Sequence, residues 1–125
     1  MYIVLLIGRV IAGLYFLENA YNHLFKTGGL VGYASSKNVP NPKLAIIGSG
    51  VLLLLGGLAL ITGMYVAWGA LLLVIFLIPV SFMMHAFWKI RNPQERAMER
   101  LQFMKNMALV GLLLMLIGLL APAAV

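Results

Sequence analysis

Residues 89–105 read KIRNPQERAMERLQFMK, a basic stretch set between two apolar runs, and they hold more than half of the chain's nine Lys and Arg residues. A second basic stretch, Lys26 to Lys43, holds three more, and only Arg9 lies outside both. Loops that stay in the cytoplasm carry the Lys and Arg excess of a membrane protein, and two loops separated by a pair of spans must share a face. One orientation satisfies both stretches: loops 26–43 and 89–100 cytoplasmic, both termini extracytoplasmic.

Working outward from these loops, the rest of the chain is lipid-compatible. Hydrophobic residues make up 63% of 125 positions and charged residues 10%, against about 25% charge in soluble domains. A hydrocarbon core about 30 Å thick takes roughly 20 apolar residues per helix. Four runs meet that length: 1–25, 44–64, 66–88 and 101–121. The reading is an all-α membrane protein, a four-helix transmembrane bundle of up-down topology forming a single domain over 1–125. The first run has no basic leading segment and no small-residue cleavage site, and it contains Arg9 and Glu18, so it is expected to be a retained span.

The chain has no cysteine and no aspartate. That excludes disulfides, thiol catalysis, Cys-ligated iron–sulfur clusters and Cys-rich zinc sites. Redox work would need a bound organic cofactor, a haem on other ligands or a partner subunit, and no metal centre is expected. The net charge of +6 arises in the two basic stretches. Anionic lipid headgroups explain it at about 1 kcal/mol per cation near the surface, so no nucleic-acid partner is expected.

Local signals mark the element ends. Pro40 and Pro42 hold their predecessors out of helical geometry, with a short interfacial turn or helix expected around Leu30 to Lys37. Gly63 breaks a tight hairpin between the second and third runs. Asn92 is a suitable N-cap with Pro93 at the first helical position, so the fourth helix is expected to begin in water. The pairs Gly50/Gly57, Gly56/Gly63 and Gly111/Gly118 are expected to mark helix contacts, and Pro79 should kink the third span.

Ionisable residues inside the bilayer are functional-site hypotheses by default. Arg9 and Glu18 lie half a turn out of phase and about 13 Å apart along one helix, so they cannot pair. Glu18, Asn19, Asn22, His23 and Tyr15 share a polar half of that helix. Glu18 either makes a structural bond or helps line a polar cavity; Arg9 either snorkels outward or joins it. His85 and Trp88 end the third span, where an interfacial role competes with ligand binding. His23 should stand at the same depth, while Gln102, Lys105 and Asn106 supply donors from the fourth span. The residues expected to meet a ligand are Arg9, Glu18, His23, His85, Trp88, Lys105 and Asn106, with Glu18 and His85 the catalytic candidates. Haem is disfavoured, because two histidines alone are slender support.

Several pieces in order, Gly8-Arg9, Tyr33-Ala34 through Val39-Pro40-Asn41-Pro42, Gly56-Gly57-Leu58, His85-Ala86-Phe87-Trp88 and Phe103 to Leu109, resemble the DoxX family of small prokaryotic membrane proteins. The resemblance implies a four-helix bundle in the prokaryotic inner membrane. It also implies a place as membrane subunit of a quinone-linked oxidoreductase of the thiosulfate:quinone type; the donors on three helices are expected to form a polar pocket between spans one, three and four that binds quinone or a small ligand. Family members commonly carry a Glu before the paired glycines of span two. Here Leu52 to Leu55 precede Gly56-Gly57, leaving Glu18 as the intramembrane carboxylate. Catalysis by the chain itself stays open. A protein partner subunit is expected, a homo-oligomer is open, and the competing readings are a non-catalytic scaffold or stress-defence subunit and a small-molecule carrier.

Overall fold

A computed structural model describes the backbone of residues 1–124 and the side chains of residues 1–120. Five α-helices follow one another: α1 (Tyr2–Phe25), α2 (Thr27–Ser36), α3 (Pro42–Thr62), α4 (Val66–Met84) and α5 (Pro93–Ala124), with a single 3-10 turn at Phe87–Lys89. No strand occurs among the described residues. All but α2 are long and apolar enough to cross a membrane, so the chain is a multi-pass membrane protein built as an all-α four-helix bundle.

The helix ends follow from their sequences. Gly63 closes α3 at φ 76°, a left-handed cap open to glycine without strain, and its amide bonds Ala59 O at 2.9 Å. Asn38 and Asn41 take positive φ on either side of Pro40, the conformation Asn tolerates best after glycine. Pro42 then opens α3 at a position where its missing N–H costs nothing. At α5, Asn92 Oδ1 accepts from the Gln94 and Glu95 amides at 3.1 and 3.0 Å. The expected helix after Lys26 is present but earlier than anticipated, at Thr27–Ser36. The α-helix of the third span ends at Met84, where the chain leaves helical geometry at His85, whose ring turns to Glu99, while the apolar span runs on through the 3-10 turn to Lys89.

In lipid the outer face is as apolar as the core, so packing depends on close approach. Gly56 and Gly57 face different neighbours from one level of α3: Gly56 meets Leu73 and Gly69 of α4, and Gly57 meets Leu17 and Gly13 of α1. Gly50 lies against Leu24 and His23. At Gly111 and Gly118, in contrast, a Cβ would meet nothing within 4 Å, so the expected seam on the fourth span is not made with another described helix of this chain. Pro79 is accommodated inside an unbroken α4, and Ser81 donates to Leu77 O at 2.6 Å rather than to the Ile75 carbonyl that Pro79 releases.

The order of packing is α1 on α3, α3 on α4 and α4 on α5, with α2 folded onto α3. Tyr33 of α2 and His85 after α4 both bond Glu99 of α5, so the two basic connections occupy one end of the bundle. There α2 forms a cover. Between α1 and α5 the bundle closes at mid-height, where Ala12 and Phe16 join Val110 and Leu113 in the core. It opens into a cavity at each end.

Candidate functional site

The larger cavity, about 510 Å³, lies under α2 at the basic end and draws its walls from all five helices. Most of the lining is apolar, with Phe16, Leu53, Phe76 and Leu77 at its floor. Its polar groups come from α1 (Asn19, His23), α3 (Ser49), the end of α4 (His85) and α5 (Gln102, Lys105, Asn106).

Each polar group can be followed bond by bond. Ser49 Oγ donates to Ile46 O at 2.8 Å, one turn back on α3. Its hydroxyl proton is thereby used, so the 2.8 Å contact with His23 Nδ1 is an N–H donated by the ring. Neutral His23 then carries its proton on Nδ1 and keeps Nε2 as an acceptor, with Phe76 edge-on at 5.6 Å. Lys105 Nζ donates to Gln102 Oε1 at 2.9 Å and lies 5.6 Å over the Tyr15 ring. Asn106 is 5% exposed and bonds no other described side chain. A carboxamide offers two donors and an acceptor.

The cover over this cavity is held by one carboxylate. Glu99 Oε1 accepts from Tyr33 Oη at 2.6 Å, and Glu99 Oε2 meets His85 Nδ1 at 2.9 Å. Three chain segments thus share a single acceptor. Burial, foremost, and then the bond to Glu99 with the charges of Glu99 and Glu95, hold the Tyr33 phenol well above the ordinary tyrosine range.

The structure gathers His23, His85, Lys105 and Asn106 at one cavity and leaves three expected members outside it. Glu18 is exposed on the outer surface of α1. The buried face of α1, Gly13, Phe16, Ala20 and His23, centres on the direction of Arg9, and at 100° per residue Glu18 points about 180° away. Arg9 faces inward but at the far end, in the smaller cavity. Trp88 packs with Phe82, Phe87 and Phe103 at 5.8, 5.2 and 5.4 Å and lines neither cavity. The expected walls from spans one, three and four omitted α2 and α3, which contribute Tyr33 and Ser49. Tyr33 and Glu99 carried a signal in the sequence: both sit beside basic loops expected on one face, where an acid and a phenol can meet.

Among the described residues no cluster of three or more His, Asp or Glu side chains could hold a metal ion, and each histidine is engaged by a side chain, Ser49 or Glu99. Nor does a polar route join the two cavities, since Phe16, Leu53, Leu60, Val110 and Leu113 fill the height between them. What the basic-end cavity can do is hold an apolar body of ring size and hydrogen-bond its carbonyl or hydroxyl groups, through the Lys105 ammonium, the Asn106 amide and the His23 acceptor.

A family model described as DoxX matches residues 4–86. Neither the curated proteins nor the solved structures compared with the chain include a match.

Proposed function

This chain belongs to the DoxX family, and on that premise we propose that it is an integral membrane subunit of a quinone-linked oxidoreductase complex, with the quinone headgroup held in the cavity beneath α2. The observation that carries the reading is Asn106, a 5% exposed carboxamide that bonds no other described side chain and lines a cavity of about 510 Å³ that is otherwise mostly apolar. A quinone presents a flat apolar ring with a carbonyl at each end, so one carbonyl accepts from Asn106 or Lys105 while the ring lies among Phe76, Leu53 and Met84. Lys105 would steady the charge that grows on a carbonyl oxygen as electrons arrive. The electron-donating chemistry belongs to a partner, because the chain has no thiol and its described residues hold no metal-ligand cluster.

The partner has a place to act. Glu18 faces the lipid from within a span, and a centrally placed acid costs about 2.5–3.5 kcal/mol by insertion scales unless another helix shields it. Exposed Ile11, Tyr15 and Phe25 share its side of α1 and give a neighbouring helix an apolar bed around the carboxyl. The protein sits in the prokaryotic inner membrane with the basic end and α2 in the cytoplasm, where the cations meet anionic headgroups.

A scaffold whose polar groups serve only packing is the second reading, favoured by the paired states of His23, His85 and Lys105. The two separate on purification in mild detergent with quinone extracted and quantified. The proposal expects quinone near one per chain in wild type and at least tenfold less in Asn106→Leu at unchanged yield and melting temperature. Quinone equally absent from both proteins, or equally present in both, would remove the cavity as its site.

A further inference from the structure

The smaller cavity, about 370 Å³, lies at the end opposite the basic loops, between the outer halves of α1 and α5 and against the α3–α4 turn. From its lining the geometry points to a second binding site, for a tetrahedral oxoanion such as a phosphate, held by Arg9 and the first amides of α4. This inference is independent of what occupies the cavity under α2.

Arg9 is a cation without a counter-charge among the described residues. The chain has three acidic side chains. Glu18 leaves the opposite side of α1, and Glu95 and Glu99 are at the other end of the bundle. Arg9 Nε is shut off from solvent and has no acceptor. The guanidinium lies against Gly63, and a Cβ at that position would collide with Arg9 Nη1, so the glycine that closes α3 also makes room for the cation.

The second component is the start of α4. Tyr65 caps it in a left-handed conformation at φ 54° and gives no side-chain bond to the helix. The first amides of a helix have no partners within it and carry the positive end of its dipole. Val66, Ala67 and Trp68, the residues that bear those amides here, all line the same cavity as Arg9. The guanidinium, set against the negative C-terminal end of α3 at Gly63, and the uncapped start of α4 border one space, and both suit tetrahedral oxygens. Exposed Tyr65 and Trp68 mark the level of the membrane interface. The oxoanion therefore comes either from a phospholipid headgroup, with its acyl chains along Leu5, Leu116 and Leu120, or from dissolved salt.

Two measurements on the detergent-purified full chain separate the sources. Native mass spectrometry counts retained phospholipid, and calorimetric titration with inorganic sulfate after delipidation measures free-anion binding. Either a phospholipid retained by wild type and lost from Arg9→Gln, or saturable sulfate binding at least tenfold weaker in Arg9→Gln, supports the site and identifies its source. Ala67→Asp provides a variant that keeps Arg9 and favours the helix, because a carboxylate in the first turn complements the dipole. It should melt no lower than wild type yet release the anion. Wild type that neither retains phospholipid nor binds sulfate would overturn the inference, as would either variant binding the anion as wild type does.

Discussion

Replacing Gly56 with alanine inserts one methyl where α3 and α4 touch. The new Cβ would collide with Leu73 and stand 3.0 Å from the Gly69 carbonyl oxygen. Leu73 is fully buried and Gly69 contributes backbone, so the clash is relieved only by moving the two helices apart. Overpacking of this kind costs about 1–3 kcal/mol. Alanine's better helix propensity offsets about 0.5–1 kcal/mol, leaving a net loss of about 1–2 kcal/mol. Gly111→Ala is the matched control, because no heavy atom lies within 4 Å of a Cβ there; it should be neutral or stabilise by up to about 1 kcal/mol from propensity alone. Reversible unfolding in mixed micelles by titration with a denaturing detergent reads both variants. A gap of about 1–3 kcal/mol between them is expected from those terms. Equal losses, or a larger loss for Gly111→Ala, would show that α4 does not sit against α3 through Gly56 and that α5 is packed elsewhere.

Glu99→Ala takes the shared acceptor from Tyr33 and His85 and should cost about 1–3 kcal/mol in the same titration, with faster tryptic cleavage after Lys37 as α2 lifts; unchanged cleavage would leave the cover held by something else. The Tyr33 phenol keeps its proton longer in the folded state, through burial first and then Glu99. Its contribution is therefore complete below the unfolded value of about 10 and is lost as pH climbs from there through the raised folded value. Thermal melts between about pH 9 and pH 11 should show an alkaline decline that Tyr33→Phe reduces; an undiminished decline would assign it to another group. At Glu18, leucine should weaken association with the proposed partner helix by about 1–2 kcal/mol, measured by energy transfer between labelled proteins in bilayers. Because the chain has no native cysteine, Ile11→Cys offers a clean cross-linking site on that face, and no cross-linked product in native membranes would argue against a partner there.

The bundle was legible because lipid imposes few solutions. Apolar runs of helical length and two basic loops set the span count and the common end, and Gly63 and Asn92 marked their boundaries for stereochemical reasons that act within a few residues. Glu18 shows where such reading fails. A helical wheel puts Glu18, Asn19 and His23 in one polar half, but in a bilayer polarity does not say which half is inward, since the lipid side and the core are equally apolar. Burial of Gly13, Phe16 and Ala20 decides it, and small size is the signal, because α1 approaches α3 where Gly13 meets Gly57. The same logic explains Gly111 and Gly118, whose spacing resembled a contact although no described helix of this chain lies opposite. Ser49 was missed as a cavity residue because its role depends on His23, 26 positions away in sequence, a pairing that only the crossing of α1 and α3 creates.

The most direct test of the central claim is photolabelling of native membranes with a photoreactive quinone, followed by peptide mapping. Labels should fall on residues 15–23, 44–53 and 102–106, the facing walls of the cavity under α2, and excess unlabelled quinone should suppress them. Labelling confined to the lipid-facing surfaces of α1 or α5, or insensitive to competing quinone, would contradict the account.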